Sequence, residues 1–512
     1  MKQNSRAQTE LVNVEADTRS PQAGQKNSSK DSPKDSSKDG KQGSQRHRKY
    51  RLSPLWLIPI LGFFSVPWLV LYHRGAESRR QEAQIGVLSE AFFAEIDDHT
   101  KNESAAQFDR LTAGLGFLPN DALSLNSNPI TPIDVDEQAR YKAVEPLLNQ
   151  MLAEQLDVPA QALRSPSPEL KAYLDSIEPK RLALQAHLLA QAPPIWEVNL
   201  AQMIEEDYPL PGLANVLNSQ KLLIVAAIAH RQSNQQSEML AALEASWHLN
   251  QAIAQRPDLS SKILASTVAD YQAALFRHVA LPDAALALWR DRFAQIEQHT
   301  VIEGIRFDTW LQYGTLQSAL SKALSGTPSE ASSGTPLKVN AQSNRLANFS
   351  PIHQFKLDNI EKAQSTHRAI DLLSATSVCQ RSQTDMEAHL KRQNSQPTEV
   401  DVSAMLARRW KLSGDRALSL ELTQQVLDAR AHYQQHSRWP APTDVKSTAC
   451  PNEVWMQKIT DAGAMEIRLS VEPVSAAPPS ISSRPLQISL TPTDSDSARP
   501  DSARPDTIKQ LD

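Results

Sequence analysis

The stretch Leu52–Tyr72, LSPLWLIPILGFFSVPWLVLY, holds 21 residues without a charge and lies between Arg51 and Arg74. At a helical rise of about 1.5 Å per residue it would extend roughly 30 Å, the thickness of one hydrocarbon core. A lone segment crossing a bilayer has to satisfy its own backbone hydrogen bonds, and a helix does so. Trp56, Trp68 and Tyr72 stand near its ends, where amphipathic rings favour the headgroup level. Pro54 falls in the first turn, whereas Pro59 and Pro67 are interior and predict kinks. The alternative is a buried core helix, but such helices are commonly shorter and amphipathic. The stretch therefore predicts a transmembrane helix at 52–72 and a single-pass anchor.

The flanks differ in charge. Residues 1–51 carry 12 Lys+Arg against 6 Asp+Glu, a net of +6, so the rest of the chain is net −11. With Arg46, Arg48, Lys49 and Arg51 beside the span, the positive-inside bias predicts a cytoplasmic N-terminus and an extracytoplasmic body. A bacterial inner membrane facing the periplasm fits that orientation. The tail is polar and low in complexity, as in SSKDSPKDSSKDGK (28–41), and reads as disordered. The basic run also offers a contact to anionic lipid, but an acidic body argues against nucleic acid as a partner. The expected partners are the lipid bilayer and other proteins of the envelope.

Past the span, helical periodicity recurs. Ile85, Leu88, Phe92 and Ile96 form one apolar stripe within 77–111. Further helices are expected at about 137–156, 168–191, 211–232, 236–255, 259–279, 283–299 and 303–324. Breaks such as Arg256-Pro257-Asp258 and Leu281-Pro282-Asp283 separate neighbours as antiparallel helices require. Residues 325–352, with SGTP at 325–328 and again at 333–336, read as a linker. Helices at 354–374, 377–393 and 401–437 then lead into a β-hairpin. Its strands are Val454–Ile459 and Met465–Val471 around Asp461-Ala462-Gly463, and a short strand is expected at 486–490. The remainder of 473–512 reads as a disordered tail with DSARP repeated at 496–500 and 501–505.

The pattern from Gln220 to Arg292, with alanines at close-packing positions, resembles tetratricopeptide-like α-hairpins. Together with PLPGLANVL (209–217) it resembles segments of uncharacterised bacterial single-pass proteins. Ala431-His432-Tyr433, Arg438-Trp439-Pro440 and the strands after Pro451 resemble the C-terminal helix-plus-sheet half of type IV pilin-like proteins (about 415–472). In pilins that helix continues from the hydrophobic N-terminal segment, whereas here more than 300 residues intervene. The resemblance therefore implies a local shape and no activity.

The chain contains no P-loop, G-x-G-x-x-G, G-x-S-x-G, H-E-x-x-H or C-x-x-C motif. Asp428, His432 and His436 lie one helical turn apart and could face one metal ion, or form a solvated stripe. Glu205, Glu206 and Asp207 offer acid–base groups, or simply end a helix. Asp134-Val135-Asp136 has a D-x-D form, as does Asp494-Ser495-Asp496, and two such triplets are what chance gives in this composition. Trp196, Trp247, Trp289 and Trp310 offer stacking surfaces or core anchors. None of these nominates a catalytic, cofactor-binding or metal residue. Cys379 and Cys450 are the only cysteines, and in an oxidising compartment they are expected to pair; the alternative is two free buried thiols.

These readings combine into a mainly α fold: a single-pass anchor, an α-hairpin helical domain (77–324) expected to fold without the distal module, a linker (325–352) letting the two units move independently, and a small α+β module (354–472). The expected function is a membrane-tethered scaffold or adaptor of the cell envelope. The alternative is a type II membrane enzyme acting on a cell-surface polymer.

Overall fold

The run Leu222–Ala229 is apolar without a break, and residues 222–228 of its helix are all buried. The computed structural model describes residues 76, 79, 80, 82–117, 132–157, 163–204, 213–296, 300–325, 345–393, 402–470 and 486–491. Its helices are α1 (82–93), α2 (Glu103–Gly114), α3 (Val135–Asp157), α4 (Pro168–Ala190), α5 (Leu200–Ile204), α6 (Leu213–Gln232) and α7 (Gln236–Ala254). They continue with α8 (Leu259–Phe276), α9 (Asp283–Ala294), α10 (Thr300–Ser325), α11 (Arg345–Ala375), α12 (Gln383–Gln393) and α13 (Ser403–His436). All the elements fall within one compact unit, Arg80–Ser475 with Arg484–Asp512.

Local sequence explains where several helices start. Asn102 caps α2 by accepting from the Ala105 amide at 2.8 Å, and its side chain also holds Ile195 N and Pro193 O. Ser167 caps α4 with Pro168 in the first turn, and Asp258 caps α8 through the Ser261 amide. The central helices α6, α7 and α8 bury a polar ladder along with their apolar faces. Ser246 Oγ donates to Gln220 Oε1 at 2.6 Å, and Gln272 Nε2 donates to Ser246 Oγ at 2.8 Å. Such a ladder is satisfied only when the three helices share one register, so it fixes their alignment. Trp247, Phe276, Trp289 and Phe293 pack edge-on or tilted beside it, with the Arg292 guanidinium 4.8 Å from the Trp289 ring centroid.

The sheet is antiparallel in the order β1-β2-β3-β4: β1 (Asp444–Lys446), β2 (Val454–Ile459), β3 (Met465–Leu469) and β4 (Gln487–Leu490). Trp455 pairs with Leu469, and Ile467 pairs with both Gln457 and Ile488. Alternation puts Trp455, Met465, Ile467, Leu469, Ile488 and Leu490 on one buried face against Leu418, Leu422, Val426 and Ala429 of α13. The same helix sends Leu420 and Leu427 into the cluster formed by α2 to α9. Gly414 of α13 lies against Val378, and a Cβ there would run into that side chain.

The expected fold needs correction. Among the described residues no helix is long and apolar enough to cross a membrane. The stretch 52–72, on which the anchor rested, lies outside the described residues, as do 1–51. The fold is corrected to mainly helical with a small four-stranded antiparallel sheet, and the single-pass anchor and envelope localisation built on 52–72 are withdrawn. The long helices spend their apolar surface on each other: even α6 carries a buried Lys221 next to its apolar run. The linker expected at 325–352 has only 326–344 outside the described residues, and α11 already begins at Arg345. Cys379 lies in the turn between α11 and α12, where a helix was expected.

Candidate functional site

The sheet and the helix beneath it are tied together by side-chain bonds, and α13 supplies the fixing groups. The Glu421 carboxylate accepts from Ser447 Oγ at 2.5 Å, Thr448 N at 2.8 Å, Ala449 N at 2.6 Å and Trp455 Nε1 at 2.9 Å, and also from the Thr448 hydroxyl. An ionised acceptor makes these bonds stronger than neutral ones. One turn on, Gln425 Oε1 receives Gln457 Nε2 at 3.0 Å. Beside that clamp a disulfide joins Cys379 to Cys450, with Cα atoms 5.7 Å apart, and Ser377 Oγ donates to Ala449 O at 2.7 Å. At the end of α13 Ser437 turns left-handed, its amide returning to Tyr433 O at 2.7 Å. Trp439 then folds back, and its indole donates to Gly463 O in the β2–β3 turn.

The two edges of this sheet differ. Strand β1 has three residues, follows Pro440 and Pro442, and exposes Asp444 and Lys446. Short length, proline and charge are the devices that stop an edge from pairing. Strand β4 is also short, four residues reading Gln487-Ile488-Ser489-Leu490 with Pro485 and Pro492 flanking it in sequence, but it carries no charge. Leu469 N donates to Leu486 O at 3.2 Å, which makes 469 and 486 a hydrogen-bonded pair. Antiparallel alternation then turns the amides and carbonyls of Ile488 and Leu490 toward β3, and those of Gln487 and Ser489 away from it. Among the described residues no strand lies beyond β4.

The other sequence-nominated groups are placed as follows. His432 and His436 stack with centroids 4.2 Å apart and 24° between planes, and each Nδ1 faces a backbone carbonyl, Arg438 O and His432 O. Each Nδ1 therefore donates, and the Nε2 lone pairs of near-parallel rings run side by side without converging on one ion. Asp428 instead sits 3.8 Å from Arg290. No cluster of three or more metal-ligating groups occurs among the described residues. Asp134 caps α3 through the Glu137 amide and pairs with Lys180 at 3.0 Å. That amide and Lys180 hold its carboxyl below the usual range. Glu205, Glu206 and Asp207, and Asp494 to Asp496, lie outside the described residues. Trp196, Trp247, Trp289 and Trp310 are all buried core anchors.

An open cleft of about 370 Å³ between α2 and α4 has Leu111, Gly114, Pro179 and Ala183 on its walls. Its rim charges are already engaged, Lys180 with Asp134 and Glu137, and Arg110 with Glu103 at 2.6 Å. Two groups with structural consequence escaped sequence reading. Glu421 lies in LSLELTQQV and Arg430 in LDARAHY, where periodicity marks both as polar positions on an amphipathic helix. Their partners are 26 to 154 residues away in the chain, so no local signal finds them. No protein-family model, no curated protein and no solved structure matches this chain.

Proposed function

We propose that this chain is a non-enzymatic scaffold that recruits a protein partner by accepting one of its segments as a fifth strand beside β4. The charge contrast between the two edges carries this reading: β1 exposes Asp444 and Lys446, whereas β4 carries no charged residue. An added strand would bond to the outward backbone groups of Gln487 and Ser489, the recognition mode known as strand addition. The Glu421 clamp and the Cys379–Cys450 disulfide hold the sheet in place beforehand, so little ordering cost falls on the scaffold's side. The helical framework serves as a rigid mount through α13.

Ser489→Pro tests the proposal. It removes an outward amide while sparing the β3–β4 pairing, because that amide faces away from β3. A photo-crosslinker at Gln487 in cells, read by mass spectrometry, should capture a discrete partner whose yield falls at least about tenfold in the Ser489→Pro chain. The unfolding temperature should not change. Equal yields from both chains would overturn the proposal.

A further inference from the structure

Register decides which side chains meet on the outer face of the sheet. Asp444, Met456, Arg468 and Gln487 form one row across the four strands, and Lys458, Glu466 and Ser489 form the next. Alternation puts both rows on the side opposite the buried layer of Trp455, Ile467 and Ile488. Arg468, Lys458, Gln487 and Ser489 are exposed there. Glu466, the one carboxylate of β3 and β4, accepts from Gln487 Nε2 at 2.9 Å. That bond runs diagonally and turns the Gln487 side chain toward the neighbouring row. Among the described residues, Arg468 engages no carboxylate.

We propose, on the reading of β4 as the pairing edge, that the segment accepted there carries an acidic side chain opposite Gln487, which Arg468 selects by reaching over β4. The incoming strand is antiparallel, as every pairing within this sheet is. Because 469 and 486 are a hydrogen-bonded pair, Arg468 and Gln487 form the other kind, with Cα atoms about 4.5 Å apart. The Gln487 amide and carbonyl point outward, and a residue bonded to both lies about 5.5 Å further on. Arg468 and that residue then stand about 10 Å apart in one row, a gap that an arginine and a glutamate side chain close between them. The planar guanidinium suits a carboxylate at that place.

The next outward position of the incoming strand falls opposite Ser489, in the row where Glu466 is the nearer charge and Lys458 the farther. A second acid there meets repulsion. The partner chemistry is therefore an extended segment with one acidic residue on its outward side and none two positions away. Charge of this kind sets which segment is accepted more than how tightly it is held.

Two fluorescein-labelled eight-residue peptides test this by anisotropy against the full chain. Both alternate threonine and valine; one has a single glutamate in place of a central threonine, the other a lysine. The glutamate peptide should bind about three- to fivefold more tightly at low salt, the range of an exposed ion pair, and the difference should fade in about 0.5 M salt. Arg468→Gln should equalise the two peptides, Arg468→Glu should invert their order, and Ser489→Pro should weaken both. Equal binding by the unmodified chain, a preference for lysine, or a glutamate preference that survives in Arg468→Gln would overturn the proposal. If Ser489→Pro still weakens both peptides in that case, the pairing edge stands and only its charge selection falls. Binding of neither peptide, or binding that Ser489→Pro leaves unchanged, would overturn the edge reading and the charge selection together.

Discussion

Five donors converge on the Glu421 carboxylate, and each belongs to a loop or strand with no covalent reason to stay near α13. Glu421→Gln keeps the shape but replaces one acceptor oxygen with a donor, setting an NH2 group against incoming N–H and O–H groups. With charged hydrogen bonds contributing about 1.5–3 kcal/mol each, the expected loss is roughly 2–4 kcal/mol. It should appear as a lower unfolding temperature and faster amide exchange at 448–450; unchanged exchange there would refute the role. At this scale the sequence reads unevenly. The spacing of Leu418, Leu422, Val426 and Ala429 announces a buried stripe, because local periodicity encodes it. Glu421 between them reads as a solvated residue, because what buries it arrives from 26 to 34 positions away.

Among elements, α8 and α13 depend on each other most directly. The last carbonyls of α8 lack intrahelical donors, and the buried Arg430 guanidinium supplies them, reaching Phe276 O at 2.9 Å, Val279 O at 2.8 Å and Arg277 O at 2.7 Å. Arg277 returns the favour through Ser419 O, Ser419 Oγ and Thr423 Oγ1 at 3.0–3.1 Å. Arg430→Lys keeps the charge but not the planar fork, and one ammonium does not reach three divergent carbonyls. We expect a loss of about 2–3 kcal/mol in denaturant unfolding, since buried acceptors are left without donors. A variant as stable as the parent would show that the fork is dispensable. Helices α3, α4 and α6 to α10 were legible from their stripes and Pro-Asp breaks, with bounds shifted by a few residues, whereas the five-residue α5 was not. The break between α1 and α2 was not, because Asn102 acts as a cap by gripping Pro193 and Ile195, far away in sequence. Strand β1 was missed because Asp444-Val445-Lys446 is too short to show an alternation.

For the whole molecule, the expected independence of the two halves gives way to shared cores. Leu420 and Leu427 sit in the main helical cluster, and Ile370, Leu373, Leu406 and Trp410 pack with Val301, Ile302 and Ile305 of α10. A chain ended at residue 344 should therefore fail to fold cooperatively: it should bind a hydrophobic dye and lose a sharp thermal transition, because faces of α8, α9 and α10 lie bare. A sharp transition in that fragment would restore the two-module division. The uncharged run at 52–72 dominated the sequence reading because no other stretch approaches its apolar length. Its reading concerned residues outside the described ones, while the described helices spend their apolar surface on one another.

The placement of α13 also sets a timetable. Arg430 is made 153 residues after Arg277, the residue whose carbonyl it caps. At ribosomal speeds of about 5–20 residues per second, that interval is roughly 8–30 s. Throughout it, the emerging helices have an unclosed seam where α13 will dock, and their apolar flank faces solvent or whatever binds there first. These helices therefore cannot close until α13 clears the exit tunnel, and a pause in translation before Ser403 prolongs their most aggregation-prone stage.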